Sequence, residues 1–145
     1  MVRHKNRYIV IEINSQNNLK INQHSLHTAI LTKIQQMHGD FGMAAVRAGF
    51  IAKYINEKTR IALIKARHGP HKLVGSCLPC VNVMDNKKVN LTTLYTGATM
   101  RHCFKFVLNH QQKKVNEVCA TLKTYEEKEA IKEALLNFDN IMQIT

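Results

Sequence analysis

The sequence predicts an α/β sandwich in which six elements run β-α-β-β-α-β and two further helices follow. Three observations predict it. Residues 7–14 are a run rich in β-branched side chains, Arg-Tyr-Ile-Val-Ile-Glu-Ile-Asn. Leu26, Ile30, Ile34 and Met37 recur at the spacing of one helix face. Residues 59–67 alternate after the polar turn Asn56-Glu57-Lys58. Periods of two and of 3.6 residues that take turns along a chain describe a sheet with helices laid against it.

Each element follows from its own pattern. In residues 7–14, Ile9, Ile11 and Ile13 share one face while Tyr8 and Val10 share the other, as in a central strand covered on both sides. Residues 23–38 form an amphipathic helix that Asn22 can cap and that Gly39 can end in a left-handed conformation. Residues 42–55 alternate, with Ala44, Val46, Ala48, Phe50, Ala52 and Tyr54 opposed to Arg47, Gly49, Ile51, Lys53 and Ile55. Together with residues 59–67 they predict a β-hairpin, whose second face mixes Ile51, Ile55, Ile61 and Leu63 with Arg47, Lys53, Lys65 and Arg67. Those apolar residues call for a cover, either later helices or a partner.

Pro70 suits the first turn of a second helix with the stripe Leu73, Val74, Cys77, Leu78 and Val81, and Pro79 predicts a kink or an early end. Asp85 to Lys88 read as a turn and residues 89–95 as a fourth strand. Thr96-Gly97-Ala98-Thr99 leads into a third helix buried through Met100, Phe104, Val107, Leu108, Gln111, Val115 and Val118. Thr124-Tyr125-Glu126-Glu127 is a capping-box pattern that opens a last helix with the stripe Ile131, Ala134, Leu135, Phe138 and Met142. The order matches the split βαβ, or ferredoxin-like, plan related to RNA-recognition domains. At 145 residues and 16.6 kDa the chain, 1–145, reads as a single domain that needs neither disulfide nor metal. Its acidic segment 120–145 would pack on the domain or on a partner.

Charge narrows the partner. There are 21 Lys and Arg against 10 Asp and Glu, a net charge of +11. Solubility alone calls for a magnitude of roughly 2 to 8. Through Val115 the chain carries 18 Lys/Arg and 4 Asp/Glu, a balance of +14, and the remainder has a balance of −3. An anionic partner, nucleic acid above all, would therefore meet residues 1–115. The apolar run after the basic start is short and holds Glu12, so a secretory signal is not expected, and no stretch has the length of a membrane span. These features predict a soluble intracellular protein without a membrane partner, with its four cysteines as reduced thiols.

Catalytic chemistry has few footholds. Cys77-Leu78-Pro79-Cys80 has a redox or zinc spacing, but Cys77 would sit inside a helix and Cys103 and Cys119 stand alone, so buried inert thiols are the expectation. The eight histidines are scattered. Glu12, Asp40, Glu57 and Asp85, the carboxylates before the tail, are too separated for a metal-dependent nuclease, which needs several converging on its ions. Residues 59–67 hold no aromatic side chain on which bases could stack. What remains is phosphate-binding equipment. Arg3, Lys5 and Arg7 alternate ahead of the first strand, and Arg101 and Lys105 lie one turn apart beyond a helix start that Thr99 can cap. These five are the candidate RNA-binding residues; no catalytic, cofactor or metal residue is assigned.

The opening Met1-Val2-Arg3-His4-Lys5-Asn6-Arg7-Tyr8 resembles the start of the Pop5-type small protein subunit of ribonuclease P and ribonuclease MRP. His38-Gly39-Asp40-Phe41-Gly42, Leu78-Pro79, and Tyr95-Thr96-Gly97-Ala98-Thr99-Met100-Arg101 with Cys103, Lys105 and Phe106 match that family in the same order, over about residues 1–110. Ala98 stands where the family pattern has glycine. The resemblance implies a nuclear, often nucleolar, ribonucleoprotein in which the RNA carries the catalytic magnesium ions. In it this non-catalytic subunit would support the catalytic RNA in tRNA 5′-end maturation and rRNA processing. It also implies pairing with a TIM-barrel-like protein subunit, among other proteins of the particle. The alternatives are an independent RNA-binding domain of another ribonucleoprotein, such as a ribosomal protein, and a small metal-dependent nuclease.

Overall fold

The computed structural model describes residues 5–16, 20–121, 126 and 129–130. The chain divides into two compact units, Met1–Cys103 and Phe104–Thr145. In the first, β1 (Asn6–Ser15), α1 (Gln23–Arg47), β2 (Ile51–Asn56), β3 (Ile61–Arg67), α2 (His71–Cys77), β4 (Val83–Met84) and β5 (Lys87–Gly97) follow one another, and α3 (Met100–Thr121) begins in it and runs on into the second. The strands form one antiparallel sheet in the order β2-β3-β1-β5-β4. Removing the short edge strand β4 leaves the expected four-stranded plan with β1 and β3 at its centre. The capping-box segment and the predicted last helix lie outside the described residues, apart from Glu126, Glu129 and Ala130.

Helices α1 and α2 cover one face. Ile9, Ile11 and Ile13 of β1 and Ala62, Ile64 and Ala66 of β3 form one core with Leu26, Ile30 and Ile34 of α1 and Val74 and Cys77 of α2. Val10, Ile61 and Leu63 on the opposite face are also buried, so the central strands are dry on both sides. Asn22 caps α1 as predicted, its side chain accepting from the His24 N–H at 3.2 Å.

Four expectations are corrected. Residues 42–47 are helical, not part of a strand: α1 bends at Gly39 (φ 64°) and continues to Arg47. The segment holds Ala44 and Ala45, and alanine is the strongest helix former. What the segment buries is Gly42 and Val46, one helical turn apart. The bend draws the chain so close that a Cβ on Gly42 would overlap the Cβ of His38. Second, Arg47 closes α1 and does not belong to the hairpin, which is limited to β2 and β3. Third, a fifth strand exists. Val83–Met84 pairs with Lys87 and Lys88 around a two-residue turn in which Asp85 and Asn86 both have positive φ (50° and 61°), as a tight hairpin requires. Fourth, Val118, expected to be buried, is 40% exposed. Pro79 acts as expected: α2 ends at Cys77 and a single 3₁₀ turn, Leu78–Cys80, follows.

Candidate nucleic-acid interface

One end of the sheet gathers basic residues from four segments. The antiparallel register sets Asn6 opposite Arg67, Arg7 opposite Ala66 and Tyr8 opposite Lys65, so the start of β1 lies against the end of β3. On its other side Tyr8 faces Gly97, the last residue of β5, from which the chain turns into α3. The His68 N–H donates to the Lys5 carbonyl at 2.8 Å and extends this pairing one step beyond the strands. Arg67 also lies along Gly49, where an added Cβ would come within 3.1 Å of its Cγ and Nε. The segment that links α1 to β2 therefore reaches the same end.

The segments 5–8, 47–49, 65–72 and 97–103 contribute Lys5, Arg7, Arg47, Lys65, Arg67, Lys72 and Arg101, and contain no Asp or Glu. Lys5, Arg47, Lys72 and Arg101 are exposed, while Arg7, Lys65 and Arg67 are half-buried. Such a concentration of one sign creates a potential that attracts a polyanion and positions it by its phosphates. Glu57 and Asp85 sit in the β2–β3 and β4–β5 turns, at the opposite ends of β3 and β5, where they accompany Lys58, Arg60, Lys87 and Lys88.

Of the predicted residues, Lys5, Arg7 and Arg101 come together in this way. Arg3 lies outside the described residues. Lys105 is exposed one turn beyond Arg101 on the same helix, the spacing that aligns two side chains on one face. The cap of α3 forms as expected, with the His102 N–H on the Thr99 hydroxyl at 3.4 Å and the Cys103 N–H on the Thr99 carbonyl at 3.3 Å. Arg7 directs Nη1 to the Asn6 carbonyl at 3.0 Å, which holds its guanidinium near the strand. Gly97 is the residue of the Gly-Ala-Thr run that must be small, because a Cβ there would lie 3.0 Å from the Cys103 Sγ and 2.9 Å from the Tyr95 ring. Ala98 is exposed and carries its methyl without conflict.

Sequence reasoning missed His68, His71 and Lys72, which the turn after β3 brings beside Arg7. The one signal for them is the dipeptide Gly69-Pro70 between a strand and a helix, which marks a tight turn. Lys53 is exposed on the edge strand β2, where its carbonyl accepts from the Gln23 side chain at 3.3 Å.

Among the described residues, no three His, Cys, Asp or Glu side chains cluster as a metal site would require. Asp40 is exposed and accepts from the Gln35 amide at 2.7 Å. His38 and Ser76 approach to 3.2 Å, but the Ser76 hydroxyl gives its hydrogen to the Leu73 carbonyl at 2.7 Å. The hydroxyl is thus an acceptor for the imidazole, and the pair ties α1 to α2. Cys77 and Cys80 are free thiols, and burial pushes the Cys77 thiol above its ordinary range, the reverse of what a reactive cysteine needs. No described helix is long and apolar enough to cross a membrane.

The model of the Rpp14/Pop5 family matches residues 7–108. The ribonuclease P/MRP protein subunit POP5 of Bos taurus is 32% identical over 142 residues, which cover 93% of this chain and 84% of that protein. The Homo sapiens subunit of the same name is 31% identical over 142 residues, 93% of this chain and 87% of its own length. Among solved structures, a chain of yeast ribonuclease MRP determined by cryo-electron microscopy has the same fold, with a TM-score of 0.56 at 13% identity over 84% of this chain and 99% of that one.

Proposed function

This chain belongs to the Rpp14/Pop5 family, and from that premise we propose that it is a protein subunit of ribonuclease P and ribonuclease MRP that holds folded RNA by its phosphates at the basic end of the sheet. The observation that carries the contact is that four segments at one end of the sheet bring seven cations and no carboxylate, with Arg7 on the face of Ile9 and Lys65 and Arg67 on the other. Strand β3 has no aromatic side chain, which favours recognition of RNA shape and backbone over stacking of single bases.

In this reading the subunit serves tRNA 5′-end maturation and rRNA processing without performing the cleavage. The magnesium ions belong to the RNA. Dispersal of Glu12, Asp40, Glu57 and Asp85 over a strand, a helix and two turns supports that division of labour. A TIM-barrel-like subunit is the protein partner. Phe41, 83% exposed just beyond the bend in α1 and close in sequence to exposed Met37, supports a protein contact, because a large apolar side chain in that state is an anchor in search of a pocket. The particle resides in the nucleus and nucleolus.

Affinity purification of the tagged chain from its own cells tests the assignment. The RNA components of ribonuclease P and ribonuclease MRP should co-purify. Recovery of ribosomal RNA alone would favour the independent RNA-binding domain, and recovery of no RNA would overturn the reading.

A further inference from the structure

The turn between β3 and α2 sets two imidazoles face to face. His68 and His71 stack with centroids 5.3 Å apart and planes 20° from parallel. Gly69, at φ 103°, supplies the left-handed step that folds the chain back, and its N–H donates to Nδ1 of His71 at 3.0 Å. An accepting Nδ1 carries no hydrogen, so the remaining proton of the neutral ring is on Nε2. The groups that act on His71 come from three elements: Arg7 from β1, His68 and the Arg67 carbonyl from the end of β3, and Lys72 from α2. None of them is a carboxylate. The ring is thus held among cations, and the Arg67 carbonyl alone among these groups favours a charge of its own.

We propose that His68 and His71, with Arg7 and Lys72, form a seat for one phosphodiester of the bound RNA, and that filling the seat loads a proton onto His71. The proposal rests on the reading that this end of the sheet meets RNA. In the free protein, burial first, then the charges of His68, Arg7 and Lys72, hold the His71 imidazolium below its ordinary range. A phosphate reverses the charge contribution, because its anion neutralises Arg7 and Lys72 and attracts the imidazolium directly. The sign follows by linkage: the complex holds more protons than its parts, so affinity rises as the pH falls from the titration midpoint of the bound ring to that of the free ring. Protonation also replaces the acceptor at Nδ1 with a donor, which breaks the bond from the Gly69 N–H.

The test is an NMR titration of the full chain, following the His71 ring and the Gly69 amide against pH, with and without a short RNA hairpin at saturation. The His71 midpoint should lie below about 6.5 in the free chain and rise by about one unit with RNA, while the Gly69 amide moves with it. Hairpin affinity should then rise about fivefold between about pH 7.5 and about pH 5.5, and H71Q should remove most of that gain while H24Q retains it. A midpoint unmoved by RNA, or an unaltered pH profile in a folded H71Q, would overturn the seat. Arg7→Gln and Arg101→Gln separate the two levels. If they weaken hairpin binding while H71Q titrates like wild type, this seat alone fails. If they leave binding unchanged at every pH, the assignment of RNA to this end of the sheet fails with it.

Discussion

The thiol of Cys103, on the first turn of α3, donates to the main-chain carbonyl of Tyr8 in β1 at 3.5 Å. This bond ties the helix that carries Arg101 to the strand that carries Arg7. It also explains why Gly97 between them must lack a side chain, since the sulfur occupies the space a Cβ would need.

Burial of Cys103 pushes its thiol from 9.0 to about 11, against a smaller opposing effect from the Gly97 backbone. A thiol that stays protonated longer in the folded chain stabilises the fold fully below the unfolded value and loses that contribution as pH rises through the folded one. The Cys103 contribution to stability should therefore be constant up to about pH 9 and decline between about pH 9 and about pH 11. Thermal melts of wild type and Cys103→Ala across that range should converge as pH rises. In the folded chain near neutral pH, alkylation followed by mass spectrometry should spare Cys103, because the thiolate is the reactive form.

Gly97→Ala should cost about 1–3 kcal/mol, the usual consequence of forcing extra volume into a filled site. Ala98→Gly, one residue on and exposed, should shift stability by less than about 1 kcal/mol. Urea denaturation of the two variants compares them directly. Equal midpoints would mean that the Tyr95 ring and the Cys103 thiol yield without cost.

If Arg3, Lys5, Arg7, Arg101 and Lys105 all neutralise RNA phosphates, the slope of log affinity against log salt should be roughly −3.5 to −4.5. Neutralising Arg101 and Lys105 together should flatten it by about 1.4 to 1.8 units, with little dependence on RNA sequence. A salt titration of the double variant, with a thermal melt to verify folding, measures this. An unchanged slope in the folded variant would remove both residues from the interface.

Asp40→Asn and Asp85→Asn should leave the chemical step of the reconstituted particle nearly unchanged. Asp40 bonds only to its neighbour Gln35 among the contacts described, and Asp85 occupies a hairpin turn. Single-turnover cleavage at saturating RNA and magnesium is the measurement. A loss near a thousandfold with folding intact, of about 4 kcal/mol in the barrier, would place catalysis in this chain.

Gln111 is 2% exposed on α3, and neither end of its amide finds a hydrogen-bond partner among the described residues. Replacement by Leu or Met should raise stability by about 1–3 kcal/mol by removing the desolvation penalty of an unmatched amide. Loss of stability in a melt of either variant would show that the amide is satisfied.

By itself the sequence determined the strands it places at 7–14 and 59–67, seen as Asn6–Ser15 and Ile61–Arg67, the α1 start at Asn22, the α3 cap at Thr99 and the early end of α2 at Pro79. Each depends on a local rule: a period of burial, a side chain that satisfies a free amide, or a ring that forbids a hydrogen bond. It also determined the sign of the partner, because net charge is a sum that no fold can change. Tertiary structure alone decided that residues 42–47 are helical, since alanine and glycine fit either period and only the burial of Gly42 and Val46 separates them. It alone assembled the basic end of the sheet. Lys5 and His68 are 63 positions apart in the chain and are joined by one backbone hydrogen bond, and Tyr8 meets both Lys65 and Gly97 through strand register. Register arises from long-range pairing of buried faces, a quantity that no window of consecutive residues contains. For that reason Arg7 and Arg101 were legible as candidates one at a time, while the histidine pair beside Arg7 came into view only in the folded chain.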